Sequence, residues 1–179
     1  ALGATAAQAD GSQMKADGSR LKNEIRAAFI YNIARFISWP EKVSFADAAH
    51  INFCLYRANF RGRAVATIAG KPLHQRPVQF SEIASLSEAA PCQALLIPGP
   101  ELDSFQREIP SSPLTSTLTI VDLSDRNHQH LAHKGVMVTL IRKGANLGFE
   151  INLDAMQRGG FHVSSELLKL AVIVAEEAP

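Results

Sequence analysis

The residues best suited to chemistry are three histidines close together in the sequence. His128, His130 and His133 follow shortly after Asp122 and Asp125. Imidazole and carboxylate groups are good zinc ligands. The segment is polar and predicts a loop, however, and its spacing matches no established zinc motif. A solvated connection is the alternative interpretation, and we expect no bound metal.

The chain has two cysteines, Cys54 and Cys92. If the chain is exported, an even count predicts one disulfide bond; two buried thiols are the alternative. The sequence contains neither G-x-S-x-G nor H-E-x-x-H, and the turn after the first predicted strand has a single glycine where a P-loop or dinucleotide fingerprint needs several. We therefore expect a protein that is not an enzyme and needs no cofactor.

A few polar side chains are candidates for a binding surface. Glu150 and Asn152 alternate with apolar neighbours on a predicted strand, so they share one face. They could form a polar patch beside Arg26 or Arg35, although Asn152 could instead cap the helix that follows. His162 lies two residues after Gly159-Gly160 and lines a pocket or ends a turn.

Aromatic residues cluster around the first predicted helix, at Tyr31, Phe36 and Trp39. Core packing is the default interpretation for such residues. Tyr31 lies off the main apolar stripe, however, and aromatic and arginine side chains are enriched in interface hot spots. Tyr31 and Trp39 therefore join Arg26 and Arg35 as candidates for a partner or ligand surface.

The apolar pattern predicts the elements that position these residues. A helix over 21–38 ends before Trp39-Pro40, because a residue preceding proline is pushed out of the α region. Turn residues at 143–146 predict a hairpin. The last helix, capped by Ser164 or Ser165 and running through Val174, is apolar nearly all round and should be buried or pack against another chain. The other predicted elements are strands at 51–56, 77–83, 92–97, 118–123, 136–142 and 147–153, and helices at 63–69, 101–109 and 154–158.

Alternating strands and helices followed by a hairpin predict a three-layer α/β fold. The sheet should be mixed and mostly parallel, with about six strands, helices on both faces and a C-terminal hairpin. Residues 21–179 would form this domain. Residues 1–20 would be a signal-peptide remnant, ending at the A-x-A sequence Ala7-Gln8-Ala9, and a disordered, polar stretch.

Composition limits the classes of partner. The chain has 179 residues, of which 46% are hydrophobic and 20% charged, as is ordinary for a soluble domain. Its formal net charge of +1 supplies no attraction to nucleic acid or anionic lipid. No apolar run approaches the roughly 20 residues that span a bilayer. We therefore expect no nucleic-acid partner.

Two stretches resemble the YfiR family. Residues 25–40, IRAAFIYNIARFISWP, are similar to the opening helix of that family, and residues 148–171, GFEINLDAMQRGGFHVSSELLKLA, are similar to its closing signature. Cys54 and Cys92 also lie where the family often has cysteines. The resemblance covers about residues 22–174 and follows the whole order of elements.

The resemblance implies a periplasmic regulatory function. YfiR-type proteins repress a YfiN-type inner-membrane diguanylate cyclase by binding its periplasmic part, which lowers cyclic di-GMP and discourages biofilm formation. A lipoprotein sequesters the repressor, the family often forms homodimers, and its disulfides are linked to its activity. Some relatives have a second cysteine pair that this chain lacks, so any redox switch would depend on Cys54 and Cys92. The alternative function is a small-molecule-binding sensor module of the periplasm with another partner.

Overall fold

The computed structural model describes residues 18, 22–41, 49–58, 66–112, 114–127 and 130–176. The helices in these ranges are α1 (22–34), α2 (Leu102–Glu108), α3 (Leu153–Arg158) and α4 (Ser165–Leu170), with 3₁₀ turns at Leu86–Glu88 and Gly99–Glu101. The strands are β1 (Ile37–Ser38), β2 (Ile51–Tyr56), β3 (Pro72–Leu73), β4 (Arg76–Ile83), β5 (Ala94–Pro98), β6 (Leu118–Asp122), β7 (Val138–Lys143), β8 (Asn146–Asn152), β9 (His162–Val163) and β10 (Val172–Val174).

Eight of these strands form one sheet in the order β10-β8-β7-β6-β5-β2-β4-β3. The strands from β4 to β7 across its centre are parallel, β7 and β8 form the predicted antiparallel hairpin, and β10 adds to β8 in parallel. The predicted α/β class is confirmed. The strand count exceeds six because β1, β3, β9 and β10 have only two or three residues each. Strands this short are not recognisable in the sequence, because two or three residues are too few to show the alternation of apolar and polar residues.

The sheet separates two apolar cores, and β2 contributes to both. Phe53 and Leu55 point into the larger core with residues of α1, whereas Cys54 and Tyr56 point into the other core with residues of α2. Successive strand residues face opposite sides of a sheet, so a strand buried on both faces is apolar throughout. This arrangement gives the three layers expected from the sequence.

The disulfide bond between Cys54 and Cys92 is formed, as predicted. The two Cα atoms are 5.7 Å apart, within the usual range for a bridge. Both cysteines are buried in the core on the α2 side of the sheet. The bridge joins β2 to the segment that leads into β5.

The predicted last helix is wrong over its final turn. The α4 helix ends at Leu170, Ala171 adopts an extended backbone, and Val172–Val174 form β10. Consecutive β-branched residues lose side-chain freedom in a helix and pack well on a pleated sheet. The first helix is also shorter than the predicted 21–38. It ends at residue 34, and Ile37–Ser38 adopt the extended backbone that pairs with β9.

Two other predictions fall largely outside the described residues. The helix predicted at 63–69 overlaps the description only from residue 66, and the signal-peptide remnant and polar stretch at 1–20 overlap it only at Gly18. Both stay predictions.

Candidate functional site

An exposed patch lies where the end of α1 meets the segment after α3. The strands β1 and β9 pair in antiparallel fashion, with Ser38 directly opposite His162. Residues directly opposite each other share one face of a ladder, and both side chains are exposed there. Phe36, two residues before Ser38, exposes 40% of its surface, and Arg35 beside it is also exposed. We call Arg35, Phe36, Ser38 and His162 the β1–β9 patch.

The other face of this small ladder is anchored in the core. Ile37 and Val163 lie opposite each other and are buried. Trp39 is 8% exposed, packs edge-on against Phe161 and donates from its indole N–H to the Gln93 carbonyl at 2.8 Å. Its ring and its N–H are both used internally, so Trp39 supports the patch from beneath. The sequence had made it a candidate for the exposed surface, and its burial instead fits the default interpretation of core packing.

Glu150 and Asn152 are also buried, in place of the surface position that the sequence predicted for them. Oε2 of Glu150 lies 2.6 Å from Nδ1 of His130, whose side chain is largely exposed. Oδ1 of Asn152 accepts from the Ala155 backbone N–H at 3.0 Å, so Asn152 is the N-cap of α3. The capping alternative is therefore confirmed for Asn152.

Arg26 belongs to a charged cluster at the carboxyl end of β6. Its guanidinium contacts Asp125 at 2.6 Å and Asp122 at 3.3 Å. Lys22 reaches the same Asp125 oxygen at 2.7 Å, and Arg142 lies 3.9 Å from it. Hydrogen bonds from Lys22 and Arg26 lower the pKa of Asp125, in spite of the opposing effect of its partial burial. Arg26 thus pairs with aspartates and not with Glu150 or Asn152.

Tyr31 has a separate set of contacts. Its hydroxyl donates to the Pro72 carbonyl at 2.5 Å, and the Lys71 ammonium lies 5.7 Å from the centre of its ring. The side chain is half-buried and ties α1 to the β3–β4 hairpin. Of the predicted surface residues, only Arg35 and His162 are both exposed and members of the β1–β9 patch. Phe36 was noted in the sequence as aromatic, whereas nothing in the sequence pointed to Ser38.

The histidine cluster is only partly described, because His128 lies outside the described residues. His130 contacts Glu150, and His133 is half-buried in the same connection. In the part of the chain that the structure describes, no three His, Cys, Asp or Glu side chains are placed to hold a metal ion. Nor does any helix there have the length and apolar character needed to cross a membrane.

The β1–β9 pairing brings together the two segments that gave the family resemblance, since β1 lies in the first and β9 in the second. The sequence model of the YfiR/HmsC-like family matches residues 23–172, from the start of α1 into β10. The chain belongs to the YfiR/HmsC-like family. No curated protein matches it closely enough to be counted as a relative. The match to this family includes every residue of the β1–β9 patch and both bridged cysteines.

Proposed function

We propose that this YfiR/HmsC-like protein is a periplasmic regulator that binds and represses a membrane diguanylate cyclase through the cyclase's periplasmic region. Repression lowers cyclic di-GMP and, with it, biofilm formation. Family membership supports the regulatory function. The Cys54–Cys92 bridge supports an oxidising compartment such as the periplasm, because disulfides are rare in reducing ones.

The observation that carries the proposal is the position of the β1–β9 patch. Two segments from opposite ends of the domain, each carrying a family signature, converge on one exposed surface. Phe36 offers an exposed aromatic ring there, flanked by Arg35, Ser38 and His162. Partly exposed aromatic and arginine side chains on a rigid support are typical of interface hot spots. We therefore propose the β1–β9 patch as the cyclase-binding surface.

We further propose that the protein acts by binding and not by catalysis. The polar side chains that first suggested chemistry have structural partners: Asn152 caps α3, Glu150 contacts His130, and Arg26 contacts two aspartates. A repressor that acts only by binding can also be removed from the cyclase by competition, when a lipoprotein binds the repressor in its place.

The test is a binding titration between the purified, oxidised protein and the periplasmic region of the membrane cyclase encoded beside its gene. We expect binding at micromolar concentration or tighter. Phe36→Ala should weaken it by roughly tenfold or more, since hot-spot truncations cost about 2 kcal/mol or more and tenfold corresponds to about 1.4 kcal/mol. His162→Ala should weaken it to a smaller extent.

The matched control is Ile25→Ala, which removes a comparably exposed apolar side chain from α1, outside the patch; Ile25 is 52% exposed. This variant should bind like the unaltered protein. Absence of binding at micromolar concentration with the disulfide intact would contradict the regulatory proposal. Equal losses in the Phe36 and Ile25 variants would contradict the assignment of the surface.

A further inference from the structure

A cavity of about 410 Å³ opens at the carboxyl ends of the central parallel strands. This volume lies within the range of small-molecule sites. Leu55 of β2, Leu96 of β5 and Ile120 of β6 contribute to its floor, and α1 covers it through Ala27 and Ile30. None of these residues belongs to the β1–β9 patch, so the cavity is a separate feature.

The cavity lies at the point where the chain changes from one face of the sheet to the other. The connection after β2 contains Ile68, which lines the cavity together with Ala27 of α1, whereas the connection after β5 contains Phe105, which packs in the core on the α2 side. Because β2 and β5 are neighbours, their carboxyl ends diverge into connections on opposite faces. In open α/β sheets this crevice is where ligands bind.

The interior of the cavity is apolar and its mouth is charged. The apolar interior is also lined by Ile68, Phe80 and Ile97. The mouth is lined by Arg26, Asp122, Asp125 and Arg126. Such a division is typical of sites for molecules with an apolar body and a single polar group.

The charges at the mouth favour an anion. The aspartates Asp122 and Asp125 are already engaged by Arg26, and Lys22 and Arg142 add two further cations around Asp125. Arg126 is exposed, and its Nη2 lies 3.3 Å from the position that a Cβ on Gly99 would take. Around the mouth, the described side chains comprise four cations (Lys22, Arg26, Arg126 and Arg142) and two carboxylates (Asp122 and Asp125), and Arg126 is one of the residues that line the cavity.

We propose that this cavity binds a small amphipathic anion, with a ring or short hydrocarbon chain in the apolar interior and one carboxylate or similar group at Arg126. A guanidinium forms charge-assisted hydrogen bonds with such a group. The proposal does not depend on the cyclase-binding function, since the cavity and the β1–β9 patch share no residue.

The probes are 3-phenylpropionate and its neutral analogue 3-phenylpropanamide, titrated into the oxidised protein with methyl-labelled Ile, Leu and Val. We expect saturable shifts of the Leu55, Leu96 and Ile120 methyl signals with both probes. The carboxylate should bind roughly five- to tenfold more tightly than the amide, because only it has the charge-assisted contact.

Two variants separate the charged mouth from the apolar interior. Arg126→Gln should remove the preference for the carboxylate and leave amide binding unchanged, while Arg107→Gln, on the exposed side of α2, should change neither. Ala27→Phe should fill the cavity and abolish binding of both probes. If the Ala27 variant fails to fold, the methyl shifts of the wild-type protein decide alone.

The proposal is overturned if neither probe shifts these methyl signals at millimolar concentration, as would happen if another segment of the chain filled the cavity. It is overturned equally if the shifts map to the β1–β9 patch. Equal affinities for carboxylate and amide in the wild-type protein would contradict the anionic class of ligand.

Discussion

Glu108 joins three elements through the two oxygens of one carboxylate. Oε1 accepts from the Tyr56 hydroxyl at 2.5 Å and from Arg57 at 3.2 Å, while Oε2 accepts from the Leu86 backbone N–H at 2.8 Å and from the Ser85 hydroxyl at 3.0 Å. These hydrogen bonds, led by the one from Tyr56, hold the pKa of Glu108 below its ordinary value of 4.5. Burial and the neighbouring carboxylate raise the pKa of Tyr56.

The lowered pKa of Glu108 makes the fold sensitive to acid. The unfolded chain binds this proton more readily than the folded protein, so the contribution is complete above pH 4.5 and is lost as pH falls through the folded-state value. Glu108→Gln should lower the free energy of unfolding by about 1–3 kcal/mol at pH 7, because it removes hydrogen bonds to a charged carboxylate. On acidification, the stability of this variant should fall by less than that of the wild type. Urea denaturation between pH 7 and pH 3 measures both effects.

The control for this experiment is Glu82→Gln, which changes an exposed carboxylate of β4. It should leave both the stability and its pH dependence near those of the wild type. The same acid dependence in the Glu108 variant and in the wild type would contradict the role of this carboxylate. On the alkaline side, the raised pKa of Tyr56 predicts a loss of stability as pH rises above 10, because the folded state keeps the proton longer than the unfolded chain.

Asn152 shows how a single side chain starts an element. It ends β8 and caps α3 by accepting from the Ala155 N–H, and its amide also donates to Glu176 at 3.1 Å. Asn152→Ala should lower the free energy of unfolding by about 1–2 kcal/mol through the lost cap alone. Chemical denaturation tests this, with Asn127→Ala at an exposed loop position as the control. Equal stability of the two variants would show that the cap contributes little.

At the scale of the element, the longer strands could be predicted from the sequence and the shortest could not. Residues 51–56 were predicted at the observed bounds of β2, and the hairpin at 143–146 joins β7 to β8. In contrast, β1 and β9 exist only because they pair with each other, so each depends on a segment distant in the sequence. Tertiary pairing overrides local preference in such segments.

The candidate site was predictable to the same limited extent. Arg35 and His162 were proposed from residue type and are in the β1–β9 patch, yet Glu150 and Asn152 on a predicted half-exposed strand are buried. The alternation of polar and apolar residues along this strand gave no sign of what covers its polar face. In the structure β10 covers the outer edge of β8, and His130 lies over Glu150.

The β10 strand leads us to propose a homodimer. It is the last strand of the sheet on its side within the described residues, and Leu170 just before it and Ile173 within it are 71% and 46% exposed. A short apolar edge strand is a surface that a second copy could extend. We expect the wild-type protein to be a dimer by light scattering and Ile173→Lys to be a monomer.

Leu131→Lys changes a comparably exposed apolar residue, 51% exposed, outside the edge strand and should stay dimeric. A wild-type monomer at high micromolar concentration would contradict the dimer. A dimer that persists in the Ile173 variant would place its interface elsewhere.

At the scale of the whole molecule, the disulfide bond joins β2 to the segment that leads into β5. Its two cysteines are 38 residues apart in sequence. Closing such a loop restricts the unfolded chain and should stabilise the fold by about 4 kcal/mol in the chain-entropy model. Reduction should therefore lower the melting temperature by several degrees, as should the double variant Cys54→Ser with Cys92→Ser.

Calorimetry with and without reductant measures this effect. Because both cysteines are buried, we expect reduction to be slow until the protein is partly unfolded. Two free thiols found by mass spectrometry in protein exported to the periplasm would contradict the bridge. An unchanged melting temperature after complete reduction would contradict its contribution to stability.

The pairing of β1 with β9 also constrains the order in which the parts of the chain can fold. The helix α1 and the strand β1 are synthesised before the other described elements of the domain, whereas the partner of β1 follows near its carboxyl end. Until that late segment arrives, the ladder cannot close and Ile37 has no strand to cover it. A truncation after α3 should therefore destabilise α1, although α1 itself is intact. The helix α1 is synthesised early in the domain but is among the last elements to reach its native contacts.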